Sequence, residues 1–493
     1  MRAFTGAFCL SMKFVIKLFP EIIVKSRPVR KQFISQLKKN LKKILKPIVE
    51  DFELFGSWDL IELEVPEKFA YKEIQIVQKL TSTPGIEFVL KVNSHSFQSI
   101  DDITEIVINE FKDQVQDKTF CVRVKRSGKH NFKSIDVEKQ AGGALLHNSA
   151  AKGVKLKDPD IAVNLEIRGE KLLTVVDRIQ GLGGFPIGQQ ESCVSLISGG
   201  FDSSVASYLM IKRGIRTHFC FFNLGGIAHE VGVKQVSHYI WDKYASSHRV
   251  LFITIPFEKV VEEILTKVDD SQMGVILKRM MLRVATKVAV EFNAPAIVTG
   301  EAVGQVSSQT LTNLKIIDQV SDTLVMRPLI VMDKPDIVSL SRQIGCEEFA
   351  AVMPEYCGVI SNKPTTRAKI DKIENEEAKF NFSILEQAFE SREVENIDEI
   401  YNSTVNIEDI EVTNLPNPED IVIDIRHPHE AALSPLTLTA NQIIAIPFFK
   451  LQSSDSLSKD KQYLLYCDKG VMSQLQAEEL KSKGYLVKVY QPN

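Results

Sequence analysis

Apolar and polar positions divide the first part of the chain into short strands and helices. Apolar residues dominate Phe14–Leu18, and apolar and acidic residues alternate over Asp59–Val65, as in a strand with one buried face. Over Arg30–Lys46 and Tyr71–Leu80 the apolar side chains instead recur at helical spacing. This succession of strands and helices predicts a small α+β module in residues 12–75.

The pattern stays mixed α/β over residues 76–180. Cys121–Arg126 reads as a strand that leaves its basic side chains on one side, and residues 118–139 hold seven Lys and Arg against two acidic residues. Such a stretch favours contacts with phosphate groups. The glycine-rich segment Gly181–Gly188 precedes a strand instead of following one, and it is predicted to be a linker.

Beyond Cys193, apolar strands alternate with helices, which is typical of a doubly wound parallel sheet. The predicted strands of this part are Val194–Ile197, His218–Phe222, Val250–Ile255 and Ala296–Thr299. Residues 365–400 are charged and predicted to be helical, and residues 414–418 mark a second linker. A last α/β part follows, with predicted strands Ile421–Ile425, Ile443–Ile446, Tyr463–Tyr466 and Val487–Tyr490.

The composition is that of a soluble protein with several domains. The chain has 493 residues, of which 44% are hydrophobic and 25% charged, with a mean hydropathy of −0.04. No apolar run approaches the roughly 18 residues that span a bilayer. The seven cysteines are scattered and form no CxxC pair, which argues against a zinc ribbon or a disulfide framework. We expect a cytoplasmic protein without a resident metal, and a non-structural extension at residues 1–11.

Charge is distributed unevenly along the chain. Residues 1–180 carry 30 Lys and Arg against 23 acidic residues, whereas the remainder carries 30 against 40. A basic N-terminal part followed by an acidic remainder is typical of a protein that binds a polyanion through its basic part. A solvated amphipathic helix explains the basic run Leu37–Lys46 almost as well, so charge alone leaves both interpretations open.

A glycine-rich loop carries the first candidate chemistry. Ser198-Gly199-Gly200-Phe201-Asp202-Ser203-Ser204 follows an apolar strand and opens a helix. Backbone N–H groups that converge at a helix N-terminus bind phosphate oxygens, and the serine hydroxyls add donors. The loop lacks the Gly-Lys-Ser/Thr ending of a Walker motif. It resembles the SGGxDS motif of the PP-loop ATP pyrophosphatases, which split ATP into AMP and pyrophosphate to adenylate an oxygen of carbonyl type.

Three further segments are similar to the nucleotide-contacting segments of the tRNA 4-thiouridine synthases: Lys278–Met281, Thr299–Glu301 and Ser307–Thr310. The resemblance implies ATP as cofactor, accompanied by Mg2+, and a supporting role for Asp202 in adenylation. The residues that it implies in ATP binding are Leu196, Ile197, Ser198, Gly199, Gly200, Ser203, Lys278, Gly300 and Gln309. Lys334 is a weaker candidate for the phosphate-binding role of Lys278.

Two cysteines are candidates for sulfur chemistry. Cys467 ends an apolar strand, and Asp468-Lys469-Gly470 then opens a helix, a setting that acidifies a thiol. With Asp424-Ile425-Arg426 upstream, this setting resembles the catalytic loop of rhodaneses, which carry sulfur as a persulfide. In the thiouridine synthases, a cysteine in a motif like Met353–Gly358 forms a transient disulfide with the rhodanese cysteine. The resemblance therefore implies that role for Cys357.

The resemblance covers nearly the whole chain from Met12 and implies an α/β multidomain protein. The implied parts are a ferredoxin-like domain (12–75), a THUMP RNA-binding domain (76–180), a doubly wound PP-loop ATP pyrophosphatase domain (190–400) and a rhodanese domain (415–493). The implied enzyme adenylates O4 of uridine 8 in tRNA and replaces it with sulfur from a persulfide on Cys467. A disulfide between Cys357 and Cys467 then awaits reduction.

The partners implied by this family are tRNA, a cysteine desulfurase as sulfur donor and a cellular disulfide reductant. A sulfur-carrier protein of thiazole (thiamine) synthesis and a second copy of the chain in a homodimer complete the set. Two other functions stay open. One is a different PP-loop adenylating ligase, such as an amide-forming synthetase, and the other is a persulfide carrier with a vestigial ATP site.

Overall fold

The chain forms two compact units, Met1–Pro186 and Ile187–Asn493. The computed structural model describes residues 11–56, 59–224, 226–351, 353, 361, 363–400, 410–426, 428–437, 441–451, 457–467 and 471–492.

In the described residues of the first unit, eight strands form one sheet in the order β2-β3-β1-β4-β8-β7-β5-β6. The strands are β1 (Ser11–Leu18), β2 (Glu53–Gly56), β3 (Leu60–Pro66), β4 (Ile86–Ser96), β5 (Thr119–Ser127), β6 (Gly153–Val154), β7 (Ile161–Arg168) and β8 (Lys171–Gly183). The helices are α1 (Pro20–Ile23), α2 (Arg27–Leu45), α3 (Glu73–Thr81), α4 (Ile100–Phe111) and α5 (Ser134–His147). The predicted extension is one residue too long, because Ser11 already pairs with Pro66.

Among the described residues, two large hydrophobic cores and a smaller cluster lie against this one sheet. The first joins β1 to α2 through side chains such as Phe14, Leu37 and Leu41, and the second joins β5 to α4 through Phe120 and Val107. The long antiparallel ladder between β4 and β8 connects the strands above the two cores. The sheet therefore runs without a break between the parts predicted as ferredoxin-like and THUMP domains.

The segment Gly181–Gly188 is only partly a linker. Its first three residues belong to β8, and Gly183 pairs with Ile86 of β4. The boundary between the two units falls later, after Pro186. A glycine is needed at position 181 because a Cβ there would lie 2.4 Å from the carbonyl oxygen of Ile86.

In the second unit, six described strands form a sheet in the order β13-β12-β9-β10-β11-β14. They are β9 (Ser192–Leu196), β10 (Arg216–Asn223), β11 (Leu251–Pro256), β12 (Ala296–Val298), β13 (Leu324–Met326) and β14 (Glu393–Asn396). The helices of this part are α6 (Phe201–Lys212), α7 (Gly226–Tyr244), α8 (Glu258–Lys267), α9 (Met273–Glu291), α10 (Leu311–Asp318), α11 (Lys334–Ile344), α12 (Glu347–Ala350), α13 (Ile370–Glu377) and α14 (Phe382–Glu390).

The predicted parallel sheet is confirmed for its inner strands, with two corrections at the edges. Strands β9, β10, β11, β12 and β13 pair in parallel, and β13 was not predicted. Residues 365–400 are not helical throughout, because β14 pairs antiparallel with β11. Strand β9 has β10 on one side and β12 on the other, so the strand order reverses at its carboxyl end, where such sheets bind ligands.

The described residues from 410 onward contain a third, all-parallel sheet in the order β15-β19-β18-β16-β17. Its strands are β15 (Val412–Thr413), β16 (Ile421–Asp424), β17 (Ile443–Ala445), β18 (Gln462–Tyr466) and β19 (Leu486–Tyr490). The helices are α15 (Pro428–Leu433), α16 (Phe448–Leu451) and α17 (Val471–Ser482). All four strands predicted in this part are present.

The contact at Gly181 yields a stability prediction. We expect Gly181→Ala to push β8 away from β4 and to destabilise the first unit by roughly 1–3 kcal/mol, the usual range for overpacking. Hydrogen exchange of the β4 amides in the intact protein measures this effect.

The matched control is Gly143→Ala in α5, where an added Cβ meets no atom within 4 Å. Alanine is the better helix former, so this variant should gain up to about 1 kcal/mol. If the β4 amides of Gly181→Ala exchanged as slowly as those of the wild type, the close approach of Gly181 to Ile86 would not be needed for stability.

Candidate active site

The predicted phosphate loop lies at the reversal of strand order. Ile197 N–H donates to the carbonyl oxygen of Cys220 (2.9 Å), which keeps the chain in the sheet for one residue beyond β9. Gly199 then has a φ of +83°, a conformation that favours glycine. Ser198 N–H donates to the Ser203 hydroxyl (3.1 Å), which ties the loop to the first turn of α6.

The N–H groups of this loop are available to a ligand. Among the described residues, those of Gly199, Gly200, Phe201 and Asp202 donate to no acceptor outside the loop and its helix. The first N–H groups of a helix lack intrahelical partners, and the helix dipole adds partial positive charge there. The loop can therefore bind an anion through its backbone.

A cavity of about 310 Å³ opens in front of this loop. It collects most of the predicted ATP-binding residues from β9, α6, α9 and the segment after β12. Those that line it are Leu196, Ile197, Ser198, Gly200, Ser203, Lys278, Gly300 and Gln309. Asp202, predicted to support adenylation, lines it as well. Gly199 is not among the lining residues, and a Cβ at this position would lie 3.0 Å from the side chain of Met353, which does line the cavity.

Gly300 sets the distance between the two sides of the cavity. A Cβ at this position would lie 2.6 Å from Ser203 N and 2.6 Å from the carbonyl carbon of Asp202. The segment after β12 therefore touches the N-terminus of α6 backbone to backbone. No other residue type fits at position 300 without moving the phosphate loop.

Asp202 is already held by two side chains. Lys334 Nζ lies 2.8 Å from Asp202 Oδ1, and Gln305 Nε2 donates to Oδ2 (2.8 Å). Lys334, predicted as a weaker candidate for phosphate binding, thus contacts the predicted catalytic carboxylate. The pair joins the first turns of α6 and α11.

Lys278 belongs to a buried charge network that the sequence did not reveal. Its ammonium lies 2.6 Å from Glu301 Oε1, and Arg327 Nε lies 2.8 Å from Glu301 Oε2. Burial alone would raise the pKa of Glu301, but the positive charges of Lys278 and Arg327 lower the pKa below its ordinary value. Glu301 therefore stays ionised at neutral pH.

His229 is a second contact of the loop that the sequence did not reveal. Its Nε2 lies 3.2 Å from the carbonyl oxygen of Ser198, and its ring packs edge-on against Phe221. Burial lowers the pKa of His229, although the hydrogen bond to Ser198 acts in the opposite direction. A neutral imidazole with its proton on Nε2 can donate to that carbonyl, which fixes the Ser198–Gly199 peptide.

Cys467 lies at the carboxyl end of β18, in the middle of the third sheet. Its thiol is buried, and Ser473 N–H in the first turn of α17 donates to Sγ (3.4 Å). At the end of the neighbouring β16, buried Arg426 binds Asp424 through Nε (2.9 Å) and Nη2 (2.7 Å), and its guanidinium lies over Tyr466. Cys357 and Asp468-Lys469-Gly470 lie outside the described residues.

The predicted basic strand has the expected alternation. In β5, Arg123 and Lys125 are exposed while Val122 and Val124 are buried against the second core of the first unit. The turn that follows is fixed by His130, whose Nε2 lies 2.8 Å from the carbonyl oxygen of Gly169. The strand therefore presents a row of cations on a rigid support.

The fold and the loop define the class of protein: a strand, an SGGFDS turn and a helix at the reversal of a parallel sheet make a PP-loop domain. The family described as "Thiamine biosynthesis protein (ThiI)" matches residues 188–382. The THUMP domain matches residues 97–177, and the ThiI ferredoxin-like domain matches residues 13–89.

Known relatives identify the family. The tRNA sulfurtransferases of Shewanella halifaxensis and Shewanella sediminis are each 52% identical over 484 residues, which is 98% of this chain and 100% of theirs. A crystal structure of a 4-thiouridine synthetase–RNA complex with bound ATP is 27% identical, with a TM-score of 0.68 over 78% of this chain and 100% of that one. The chain belongs to the tRNA sulfurtransferase family, as predicted. None of its described helices is long and apolar enough to cross a membrane.

Proposed function

We propose that this tRNA sulfurtransferase forms 4-thiouridine at position 8 of tRNA by adenylating the uridine with ATP and transferring sulfur from a persulfide on Cys467. The observation that carries the proposal is the loop of open N–H groups at the end of β9, which faces a cavity lined by Asp202 and Lys278. The related 4-thiouridine synthetase, crystallised with RNA and ATP, supports this reading.

The residues that line the cavity suit a nucleoside triphosphate. Apolar side chains such as Phe222 and Met281 offer a surface for a base, and the loop and Lys278 offer donors for phosphate oxygens. In the proposed first step, O4 of uridine attacks the α-phosphorus of ATP and pyrophosphate leaves. The N–H groups of the loop stabilise the charge that develops on the phosphate oxygens.

Mg2+ would accompany the nucleotide. The described residues contain no group of three or more His, Cys, Asp or Glu side chains that could hold a metal ion alone. Mg2+ bound to phosphates needs only one or two carboxylates from the protein, and we propose that Asp202, which lines the cavity, would supply one. The ion would add positive charge beside the phosphates.

Sulfur transfer is assigned to the third sheet, which we propose is a rhodanese domain. A cysteine desulfurase loads Cys467 as Cys–S–S⁻, and the outer sulfur attacks C4 of the adenylated uridine so that AMP leaves. The Cys357 thiolate then attacks Sγ of Cys467, releasing 4-thiouridine and leaving a Cys357–Cys467 disulfide. A cellular reductant supplies two electrons and two protons to restore both thiols.

The first unit is proposed to hold the tRNA. The exposed cations of β5 belong to a sequence region with a net charge of +7, as phosphate contacts require. The proposed divisions are residues 12–75, 76–180, 190–400 and 415–493. The first begins one residue earlier, at Ser11 of β1, and its end at 75 falls within α3 (Glu73–Thr81).

We also propose a second output to a sulfur-carrier protein of thiazole synthesis, a homodimer and a cytoplasmic location.

The contact at Gly300 predicts how ATP binding depends on packing. Gly300→Ala should displace the N-terminus of α6 and weaken ATP binding by about tenfold or more. Each hydrogen bond to a charged phosphate that is lost costs about 1.5–3 kcal/mol, and about 1.4 kcal/mol corresponds to a tenfold change in Kd. Equilibrium binding of ATP measures the loss.

Gly274→Ala in α9 is the matched control, because an added Cβ there meets no atom within 4 Å. It should bind ATP as the wild type does. Equal ATP affinity in Gly300→Ala and wild type would contradict the assignment of the cavity.

Two variants separate the halves of the proposed reaction. Asp202→Ala should abolish thiolation of tRNA while Cys467 still accepts 35S from a desulfurase, whereas Cys467→Ala should lose both. Cys121→Ala, at a buried cysteine of β5, is the control and should retain both.

Mass spectrometry of tRNA nucleosides and autoradiography of the protein give the two readouts. Unchanged thiolation in Asp202→Ala would contradict the adenylation step. Labelling that persists in Cys467→Ala would place the persulfide elsewhere. Sulfur loading without any tRNA-dependent formation of AMP would favour a persulfide carrier with a vestigial ATP site.

A further inference from the structure

Glu301 accepts three hydrogen bonds at the wall of the cavity. Lys278 Nζ contacts Oε1 (2.6 Å), while Arg327 Nε (2.8 Å) and Thr299 Oγ1 (3.0 Å) contact Oε2. The Glu301 residue is only 7% exposed. A carboxylate removed from water to this extent is stabilised by its partners, and here each oxygen has a cationic one.

Arg327 in turn is held on its other side. Its Nη1 and Nη2 donate to the two carboxylate oxygens of Asp318, at 2.9 and 2.6 Å. Burial would lower the pKa of Arg327, but Asp318 and Glu301 raise it, so the guanidinium remains charged. Two carboxylates therefore fix the planar guanidinium in one orientation.

The network ties together four elements of the fold. Lys278 is in α9, Glu301 follows β12, Arg327 follows β13, and Asp318 ends α10. The partners come from both sides of the carboxyl end of β12, so Glu301 has little freedom to turn. A side chain that is constrained in this way can hold a neighbour in place.

Lys278 is the flexible member of the network. A lysine side chain has four rotatable methylene groups, and Glu301 is the partner of its ammonium among the described residues. An ammonium has three donors, so a bond to Glu301 leaves two for phosphate oxygens. The Glu301 carboxylate thus fixes the orientation in which the Lys278 ammonium contacts a ligand.

We propose that Glu301 is a positioning residue that acts through Lys278, with Arg327 holding Glu301 in turn. This inference rests on the proposed ATP-dependent step. Asp318, Arg327, Glu301 and Lys278 together carry no net charge, so the network contributes an oriented donor instead of a surplus of positive charge. Glu301 then serves the rate of adenylation more than the affinity for ATP.

The sign of the effect distinguishes positioning from charge balance. Glu301→Gln removes a negative charge beside Lys278, which by electrostatics alone would tighten ATP binding. Loss of the anchor lets the ammonium leave its position, which slows the reaction. A positioning residue therefore predicts a fall in rate without a loss of affinity.

A double-mutant cycle tests the proposal with Glu301→Gln, Lys278→Met and the combined variant. The measurements are AMP formation at saturating ATP with tRNA, and the equilibrium Kd for ATP. We expect Glu301→Gln to lower the rate of AMP formation by about 10- to 100-fold and to raise the Kd for ATP by no more than about threefold. In the Lys278→Met background the same substitution should change the rate less than about twofold, because the two residues act as one unit.

Two further variants distinguish a positioning role of Glu301 from a purely structural one. Glu377→Gln breaks another buried ion pair of α9, in which Arg279 binds both Glu377 oxygens outside the cavity. It should lower the thermal midpoint and leave the rate at lower temperature unchanged. Glu301→Asp keeps the charge one methylene shorter, so it should fold and show a smaller loss of rate that again disappears in Lys278→Met.

The proposal would be overturned if the rate losses of Glu301→Gln and Lys278→Met multiplied in the combined variant. A wild-type rate in Glu301→Gln would also overturn it. A weakened Kd with an unchanged rate would also overturn it. Wild-type protein that forms no AMP with tRNA overturns the proposed function as well, whereas an active wild type with multiplying losses overturns the role of Glu301 alone.

Discussion

The candidate site depends on how closely two stretches of backbone can approach each other. Strand β9 is paired on both sides, so the turn after it must rise between its neighbours and start α6 within a few residues. Gly199 permits that turn through its positive φ, and Gly300 leaves room for the start of the helix. The N–H groups of the loop are open because they begin a helix, and the absence of a side chain at position 300 lets the segment after β12 lie directly against them.

Charge in this site is paired before any ligand arrives. Lys278 and Arg327 share Glu301, and Lys334 contacts Asp202, so each of these cations has a fixed carboxylate partner. Such an arrangement costs little reorganisation when a ligand with its own charges replaces or adds to the contacts. The third sheet repeats the principle, because Arg426 is neutralised by Asp424 beside the buried thiol of Cys467.

The sequence revealed those features that are local along the chain. The glycine loop, the strand before Cys467 and the alternation of β5 each depend on neighbouring residues, and their periodicity or turn chemistry is visible directly. The Glu301 network could not be found in this way, because its bonded pairs are 9 to 26 residues apart along the chain and only the fold brings them together.

The errors at strand edges have similar physical causes. Strand β14 consists of Glu393-Val394-Glu395-Asn396, a short polar segment that pairs on one side only, and nothing in it departs from the charged helices before it. Gly181 belongs to a strand because the backbone of Ile86 approaches it, a long-range contact, whereas glycine by itself is typical of a linker.

The unbroken sheet of the first unit has a mechanical consequence. Two modules joined by a flexible linker can bind different parts of a ligand independently. Here the ladder between β4 and β8 fuses them, so the spacing between the surfaces of the two modules is set when the chain folds. A nucleic acid bound to this unit would therefore contact two surfaces at a fixed distance. Selectivity for its shape would then come from the rigid arrangement of the two parts.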